Sequence, residues 1–396
     1  MIREKIKPSI YNISLSTIGH FAIDLYPAFI VGIIPLIASR YNLSIFQVSI
    51  MTAISQISNS ITQPLFGYLS DRHGLKNYMA YGILFAAMFL SLIAIVPNYF
   101  IILVLLFIGN LGVSAFHPSS AAIGAEYKGR KKGLGNSIIS LGGSAGYSVG
   151  SLFFISIIDK IGIKFSPFAM IPGVVMTILL LKLLPPDNKK KNIEKNAPKK
   201  PAYGGFKFHK LKITHFFLVW IAAFSRDVLW TGFLTFMPLY FTHLKINIIN
   251  ISIILLIFGI TGGVGGIFAS YFAEKIKRNV LIQVAYLAII PLTYFIFRTN
   301  MALSIFLFVL TGFFLISTMP ICISFSHEIF PRNLSLASSL VIGFSSGCAG
   351  VAIMFLGKLA DKIGIEKTFY IMLILPFIAT IAMFFMPRVE RQRTKS

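Results

Sequence analysis

Charged residues are scarce in this chain, and acidic residues are the scarcest. Only 12% of the 396 residues are charged, against about 25% in a typical globular domain. The 13 Asp and Glu residues stand against 36 Lys and Arg, and apolar residues make up 56% of the chain. Such a composition excludes an ordinary soluble protein and indicates a membrane protein, in spite of a length that would suit two or three soluble domains.

Several catalytic and structural signals are also missing. The two cysteines, Cys322 and Cys348, both fall inside predicted helices, so no structural disulfide is implied. The chain has no GxxxxGK[ST] phosphate loop, no HExxH zinc motif and no nucleophile elbow. These absences exclude an ATP motor within this chain and argue against a membrane-embedded enzyme. We therefore predict that the protein is not an enzyme and has no cofactor and no metal site.

Long apolar stretches are what the chain has instead. A bilayer-spanning helix needs roughly 20 apolar residues, and twelve stretches meet that need. They divide into six and six around a polar segment, which predicts an all-α membrane protein with two six-helix bundles, residues 1–185 and 214–396, joined by a basic cytosolic linker, residues 186–213. The predicted spans are 10–38, 46–70, 78–96, 99–127, 133–158, 165–185, 214–243, 249–273, 279–297, 301–329, 334–361 and 367–386.

The positive charge is concentrated on one side of these spans. If the amino terminus is cytosolic, the ends and the cytosolic loops hold 26 of the 36 Lys and Arg residues, and the outer loops hold 8. This bias places both termini of a multi-pass protein in the cytosol and favours the cytoplasmic membrane as its location. The expected partner of the basic loops is the anionic inner leaflet of the lipid bilayer rather than nucleic acid. We also expect the first helix to remain as a membrane anchor, because it is too long for a signal peptide.

The two halves repeat each other weakly at an offset of 203 residues. Repeated halves are typical of secondary transporters and predict a pseudo-two-fold relation between the bundles. The first matched pair is the most informative, since each carboxylate interrupts an apolar segment. The matched pairs are Asp24 with Asp227, Pro35 with Pro238, Asp71 with Glu274, and Gly109 with Gly312.

A charged motif stands between the second and third spans, Gly67-Tyr-Leu-Ser-Asp71-Arg72-His-Gly74-Leu-Lys76. It resembles the loop motif G-x-L-x-D-R-x-G-R-K of the major facilitator superfamily, with Leu75 in place of one Arg. The resemblance implies the fold of that superfamily and a gating role for the loop, as a latch between the halves. Asp71 would then face the start of the eleventh span, near Ser335, where a carboxylate gains about 0.3–1 kcal/mol from the helix dipole. The alternative is a short charged loop without a latch.

The fifth span carries a run of small residues, Gly142-Gly143-Ser-Ala-Gly146-Tyr147-Ser-Val-Gly150. It resembles the antiporter motif G-x-x-x-G-P-x-x-G of the same superfamily, with Tyr147 in place of the proline. The alternative is close helix packing, which small residues allow.

Three further segments occur in the order found in fosmidomycin resistance proteins. They are His20-Phe-Ala-Ile-Asp24, Phe116-His117-Pro118 and Glu328-Ile-Phe-Pro331. This narrower resemblance covers nearly the whole chain and implies export of a small drug, with a phosphonate such as fosmidomycin as one candidate. The chain departs from that family at Ser119, where the family has an acidic residue, so the substrate is left open.

Charged groups inside a membrane bundle are costly and indicate function. His20 and Asp24 lie four residues apart and share one face of the first span. At such a site a proton and a substrate compete to neutralise the same carboxylate. We predict a proton-coupling site formed by Asp24 and His20, with Asp227 as its counterpart in the second half. The alternative for His20 and Asp24 is a static pair that orders the helix.

Arg226 and Asp227 are adjacent in the seventh span, so their side chains are expected to diverge by about 100°. We predict that Arg226 binds an anionic group of the substrate, since a guanidinium matches carboxylate or phosphonate geometry. The alternative is a charge-balancing bridge from Arg226 to Asp24 across the two halves.

Two polar stripes complete the predicted cavity. Gln56, Asn59 and Gln63 share one face of the second span, and Asn110, Ser114 and His117 share one face of the fourth. We predict that Gln56, Asn59, Gln63, Asn110 and His117 bind substrate; the alternative is hydrogen bonding between helices. Glu328, near the cytosolic end of the tenth span, is a gating candidate or a solvated carboxylate.

Together these patterns predict a proton-coupled antiporter that exports a small organic solute by alternating access. A proton-coupled uptake carrier with the same fold is the main alternative. A non-transporting sensor would need a signalling domain, which the short soluble segments do not provide. Because each bundle pair contains its own pathway, we expect a functional monomer.

Overall fold

The structure is a computed structural model of the chain and describes residues 8–125, 134–185, 210–330 and 334–386. Within these ranges all regular structure is helical. Most of the predicted linker, residues 186–209, lies outside the described residues.

The first half contains seven α-helices and one 3-10 helix in the described residues. The 3-10 helix Ile163–Met170 leads directly into the last α-helix of this half and forms one span with it. The α-helices are α1 Pro8–Leu25, α2 Phe29–Arg40, α3 Ile45–His73, α4 Leu75–Ser91, α5 Tyr99–Ala125, α6 Leu134–Ile161 and α7 Ile171–Leu183.

The second half repeats this arrangement with interruptions at other places. Its eleventh span includes a five-residue π-helix, Leu340–Phe344, between α12 and α13. The helices are α8 Lys210–His243, α9 Ile248–Phe272, α10 Arg278–Ile296, α11 Met301–Ile329, α12 Leu334–Ser339, α13 Ser345–Ile363, α14 Ile365–Met372 and α15 Ile374–Phe384.

Ten helical segments of the described chain are long and apolar enough to cross a membrane. The other two predicted spans are helices as well. The polar helix α3 carries Ser, Thr, Asn and Gln throughout its length, and α4 has 17 residues. The prediction of an all-α, multi-pass membrane protein is therefore confirmed.

The first span is not one continuous helix, although the hydropathy predicted one from 10 to 38. It is interrupted at Tyr26-Pro27-Ala28, between α1 and α2. Pro27 has no N–H to donate to the preceding turn. The backbone hydrogen bonds there join residues three apart rather than four, from Tyr26 N to Ile23 O and from Phe29 N to Tyr26 O. The break lies two residues beyond Asp24, so this carboxylate sits at the end of α1 rather than in the middle of a helix.

The two halves meet along two seams. In the first, α3 packs against α13, and in the second, α6 packs against α9. Successive spans end on alternate sides of the membrane. We call the side where α3 ends at His73 the termini side, because α1 begins there, and the side where α3 begins at Ile45 the far side.

Both seams are closed on the far side and open towards the termini side. In the first, the backbone of Gly350 lies against Gln56 and Ala53, whereas a Cβ at Gly343 would meet nothing within 4 Å. In the second, Gly259 lies against Ser148, whereas a Cβ at Gly263 would meet nothing within 4 Å. The halves therefore separate towards the side on which α1 begins.

A carboxylate joins the halves at the far end of the first seam. Asp361, in α13, accepts hydrogen bonds from the backbone N–H of Ile45 (2.7 Å) and Phe46 (3.0 Å). These are free donors of the first turn of α3, where a negative charge is also favoured by the helix dipole. The arrangement predicted for Asp71 on the termini side thus occurs on the far side with Asp361.

A repeat in the sequence points to this contact, although it is not among the matched pairs given above. The run Asp-Lys-Ile-Gly-Ile occurs twice, as Asp159–Ile163 at the end of α6 and as Asp361–Ile365 at the end of α13. Only the second copy reaches across the halves, since no hydrogen bond from α9 to Asp159 occurs among the described residues.

Candidate functional site

Asp24 is the centre of a cluster of three titratable side chains in the first half. Its Oδ2 lies 3.2 Å from His20 Nε2, and its Oδ1 lies 3.5 Å from His117 Nε2. The side chains of Asp24, His20 and His117 are 17%, 12% and 23% exposed. They are thus largely shielded from solvent without being sealed off. His20 and Asp24 share a face, as predicted, and His117, predicted as a substrate ligand, joins them.

Three helices hold this cluster in place. The break at Pro27 fixes the end of α1, and Pro118, within α5, follows His117 directly. The third helix, α6, contributes Gly143, where a Cβ would lie 2.5 Å from both Asp24 Oδ2 and His20 Nε2. A glycine is therefore required here for steric reasons, and the small-residue run of α6 makes room for the titratable groups.

Aromatic rings surround the histidines. The His20 ring lies 5.6 Å from the Phe116 ring and 5.0 Å from the His117 ring, centroid to centroid. Nδ1 of His20 is buried without a hydrogen-bond partner. The environment is therefore apolar on one side and offers the imidazoles chiefly the Asp24 carboxylate.

The second half carries a different cluster at the equivalent position. Arg226 Nε donates to Asp227 Oδ1 at 2.8 Å, and the Ser345 hydroxyl donates to Asp227 Oδ2. The prediction that Arg226 and Asp227 diverge is wrong, because the long arginine side chain folds back along α8 to reach its neighbour. In this structure Arg226 pairs with Asp227 and not with Asp24.

The π-helix in the eleventh span packs against this ion pair. Arg226 Nη2 donates to the carbonyl oxygen of Val341 at 3.4 Å. Nη1 of Arg226 is buried and has no hydrogen-bond partner. π-bulges occur frequently at functional sites, and here the widened turn lies beside a buried guanidinium with one unused donor group.

Polar side chains from both halves close the space on the far side of the two clusters. Gln56 Nε2 donates to the Thr231 hydroxyl at 3.5 Å, and the Ser346 hydroxyl donates to Gln56 Oε1 at 2.9 Å. One turn further along, the Thr235 hydroxyl donates to the Thr52 hydroxyl at 3.2 Å. Gln56 therefore connects the two halves in this conformation.

The other predicted polar ligands have different surroundings. Gln63 Nε2 donates to Asn59 Oδ1 at 3.2 Å, so these two side chains form a pair within α3 and both stay partly exposed. Asn110 is 1% exposed and donates to the Leu106 carbonyl oxygen of its own helix. Ser114 accepts from Thr62 at 2.7 Å. The stripe on α5 thus makes hydrogen bonds within and between helices at Asn110 and Ser114 and faces the cluster only at His117.

The loop motif includes a glycine at a sharp turn of the backbone and a glycine at a close helix contact. Gly74 has a φ of 106°, in the region that favours glycine, and it separates α3 from α4. A Cβ at Gly67 would lie 3.4 Å from Pro118 of α5. The Arg72 guanidinium lies 4.4 Å from the centre of the Tyr68 ring.

The predicted latch itself is not tested here. The side chains of Asp71 and Ser335 lie outside the described residues, and Lys76 is half-buried in the first turn of α4. Glu328 is 37% exposed and forms an ion pair with Arg278, in the first turn of α10. That pair connects two helices of the second half, so Glu328 does not join the halves in this conformation.

Comparison with known proteins identifies the family. The family model of the Major Facilitator Superfamily matches residues 16–346. The chain belongs to this superfamily. It is 24% identical over 381 residues to the fosmidomycin resistance protein of Escherichia coli (strain K12), covering 96% of this chain and 94% of that one. It is 22% identical to the uncharacterized MFS-type transporter YfnC of Bacillus subtilis (strain 168), covering 95% and 92%.

A solved structure has the same fold. It is a bacterial homolog of the human lysosomal transporter Spinster in an inward-facing and occupied conformation, with a TM-score of 0.80 and 13% identity, covering 96% of this chain and 97% of that chain. The superfamily and its relatives make this protein a multi-pass membrane transporter rather than an enzyme.

Proposed function

We propose that the protein is a proton-coupled antiporter that exports a small organic solute. Protons would enter and leave through Asp24, with His20 and His117 as its partners. The observation that carries this proposal is the single carboxylate between two imidazoles, at 3.2 and 3.5 Å, in a partly exposed position. Each of these groups changes its charge when it gains or loses a proton, so the cluster can exchange protons with a cavity without a permanent counter-charge.

Alternating access would follow from rocking of the two bundles, residues 1–185 and 214–396, about the seams. The far side is held by Asp361 and by Gln56, and both contacts must break before a cavity can open there. The present arrangement supports a cavity that opens to the termini side. We propose that this side is the cytosol and that the protein lies in the cytoplasmic membrane, since the basic loops belong to this side.

The proposed substrate carries an anionic group. Arg226 is a buried guanidinium whose Nη1 has no partner, and a guanidinium binds carboxylate or phosphonate oxygens through such donors. Reaching it requires movement of the adjacent π-helix, which would link binding to the eleventh span. The name of the E. coli relative adds fosmidomycin, a phosphonate, as the first compound to test.

The test is proton movement in everted membrane vesicles, followed with a pH-sensitive dye while phosphonates and other small drugs are added one at a time. We expect a substrate-dependent proton release in wild type that Asp24→Asn abolishes. Asp159→Asn is the matched control, because it makes the same change at the exposed end of α6. Flux that survives in Asp24→Asn would contradict the assignment to Asp24 and move the proton site to Asp227 or Glu328.

The direction of transport separates the proposal from its alternative. Radiolabelled substrate should accumulate inside everted vesicles that carry a proton gradient if the protein exports. Accumulation in right-side-out vesicles driven by external acid would instead establish an uptake carrier with the same fold.

A further inference from the structure

We propose that His20, Asp24 and His117 form a binding site for one divalent transition-metal ion. The site would hold the ion through Nε2 of each imidazole and an oxygen of the carboxylate. The proposal concerns binding and is independent of whether the protein exports or imports.

The distances between the ligand atoms suit such an ion. Bonds of 2.0–2.1 Å at tetrahedral angles place neighbouring donor atoms about 3.3 Å apart. The carboxylate oxygens lie 3.2 Å from His20 Nε2 and 3.5 Å from His117 Nε2. All three ligand atoms lie within 4.8 Å of one another. Each imidazole nitrogen faces a different oxygen of Asp24. A common ion therefore requires the side chains to draw together, from separations of up to 4.8 Å to about 3.3 Å.

The ligand types decide which ions fit. Two imidazole nitrogens and one carboxylate oxygen favour Zn²⁺ and its neighbours Co²⁺, Ni²⁺ and Cu²⁺ over Mg²⁺ and Ca²⁺, which prefer oxygen ligands. Three protein ligands leave a fourth position open to water or to a ligand from the cavity, as in metal sites that exchange their fourth ligand.

The surroundings make room for the ligand side chains and influence the affinity. Gly143 has no side chain, and any Cβ there would lie 2.5 Å from one ligand atom of His20 and one of Asp24. Metal-bound histidines usually donate their second ring nitrogen to an outer partner, but Nδ1 of His20 has none. Since outer partners of this kind are worth 10- to 100-fold in affinity, we expect weaker binding than at a site whose histidines have such partners.

No sequence motif indicates this metal site. Only His20 and Asp24 have a helical spacing, and the third ligand comes from α5. The fold brings His117 to them because α5 packs beside α1. This is why the sequence predicted no metal site.

The experiment is titration of the full-length protein, purified in detergent through a tag without histidine, with Co²⁺ followed by visible absorption. Co²⁺ in a four- or five-coordinate protein site absorbs far more strongly than hydrated Co²⁺. We expect one Co²⁺ per chain in wild type, displaced by Zn²⁺. Asp24→Asn, His20→Ala and His117→Ala should each weaken binding at least about tenfold.

Two variants keep the result independent of folding. His243→Ala removes an exposed imidazole at the end of α8 and should bind Co²⁺ as wild type does. His117→Glu keeps a ligand atom of similar reach and should bind Co²⁺ more tightly than His117→Ala does. No saturable band in wild type, or a band unchanged in all three ligand variants, would overturn the proposal. Because the readout is absorption, either result leaves the transport assay to be judged by itself.

Discussion

Equivalent positions of the two halves each carry an aspartate, but the neighbouring side chains differ. Asp24 lies between two imidazoles at the end of an interrupted span, and it is 17% exposed. Asp227 lies beside a guanidinium and a hydroxyl within the continuous helix α8, and Arg226 is 3% exposed. An arginine stays protonated at any physiological pH, whereas an imidazole can both gain and lose a proton.

The difference indicates a division of labour. The first half carries a charge that can be neutralised, and the second half carries a fixed ion pair. Breaking a buried ion pair strongly destabilises a protein, because removal of one partner leaves the other as an uncompensated buried charge. We therefore expect substitutions in the second cluster to affect folding as well as substrate binding, and substitutions in the first cluster to affect proton coupling most.

The largest expected effect tests the fixed pair. Arg226→Met should lower the free energy of unfolding by about 3–5 kcal/mol, because it leaves Asp227 charged and buried. The double variant Arg226→Met/Asp227→Leu should recover most of this loss, since it removes both charges. Thermal unfolding in detergent, followed by intrinsic fluorescence, measures both. Equal stability of the single and double variants would show that the pair is not a buried ion pair in solution.

The second prediction concerns the space around Asp24. Gly143→Ala should destabilise the protein by about 1–3 kcal/mol, because its Cβ would overlap His20 and Asp24 and force them to move. It should also reduce substrate-dependent proton release. Gly263→Ala, with nothing within 4 Å of its Cβ, is the matched control, and it should be neutral or stabilising by up to about 1 kcal/mol. Similar losses in both variants would show that the effect of Gly143→Ala does not come from its contact with His20 and Asp24.

The third prediction compares the two Asp-Lys-Ile-Gly-Ile runs. Asp361→Ala should cost about 1 kcal/mol, since it removes the acceptor for Ile45 and Phe46 N–H. Asp159→Ala should change little. Ser49→Cys, buried against Gly357 in a background without Cys322 and Cys348, provides a second readout. Its labelling by a membrane-impermeant maleimide should be faster with Asp361→Ala than with Asp159→Ala, and equal rates would count against Asp361 as a contact between the halves.

The smallest effect is expected at Glu328. Its pair with Arg278 is partly exposed, and exposed pairs contribute about 0–1 kcal/mol. Glu328→Gln should therefore shift the unfolding transition slightly, and less so at high salt. A loss above about 2 kcal/mol would give Glu328 a larger role than this structure supports.

Much of the architecture could be predicted from the sequence because it depends on local patterns. Runs of apolar residues indicate spans whatever their neighbours, and the i, i+4 spacing of His20 and Asp24 sets a shared helix face. The break at Pro27 was missed, because hydropathy does not register the loss of a single N–H donor.

The composition of the two clusters could not be predicted, since it depends on contacts between distant elements. His117 reaches Asp24 only through the packing of α5 on α1, and Ser345 reaches Asp227 only through the eleventh span. For Arg226 the average helical angle was misleading, because a long flexible side chain can fold back on its neighbour. The repeated Asp-Lys-Ile-Gly-Ile run was visible in the sequence and would have pointed to Asp361.

The glycines of the first seam have a consequence for the entropy of the transport cycle. Gly347, Gly350 and Gly357 present bare backbone to α3, and their nearest contacts there are Ser side chains, backbone atoms and the Cβ of Gln56. Glycine has no rotamers, so separating these surfaces releases little side-chain conformational entropy and rejoining them costs little. The free-energy difference between the closed and open far side should then depend mainly on a few hydrogen bonds. We expect the ratio of the closed to the open conformation to change only gradually with temperature.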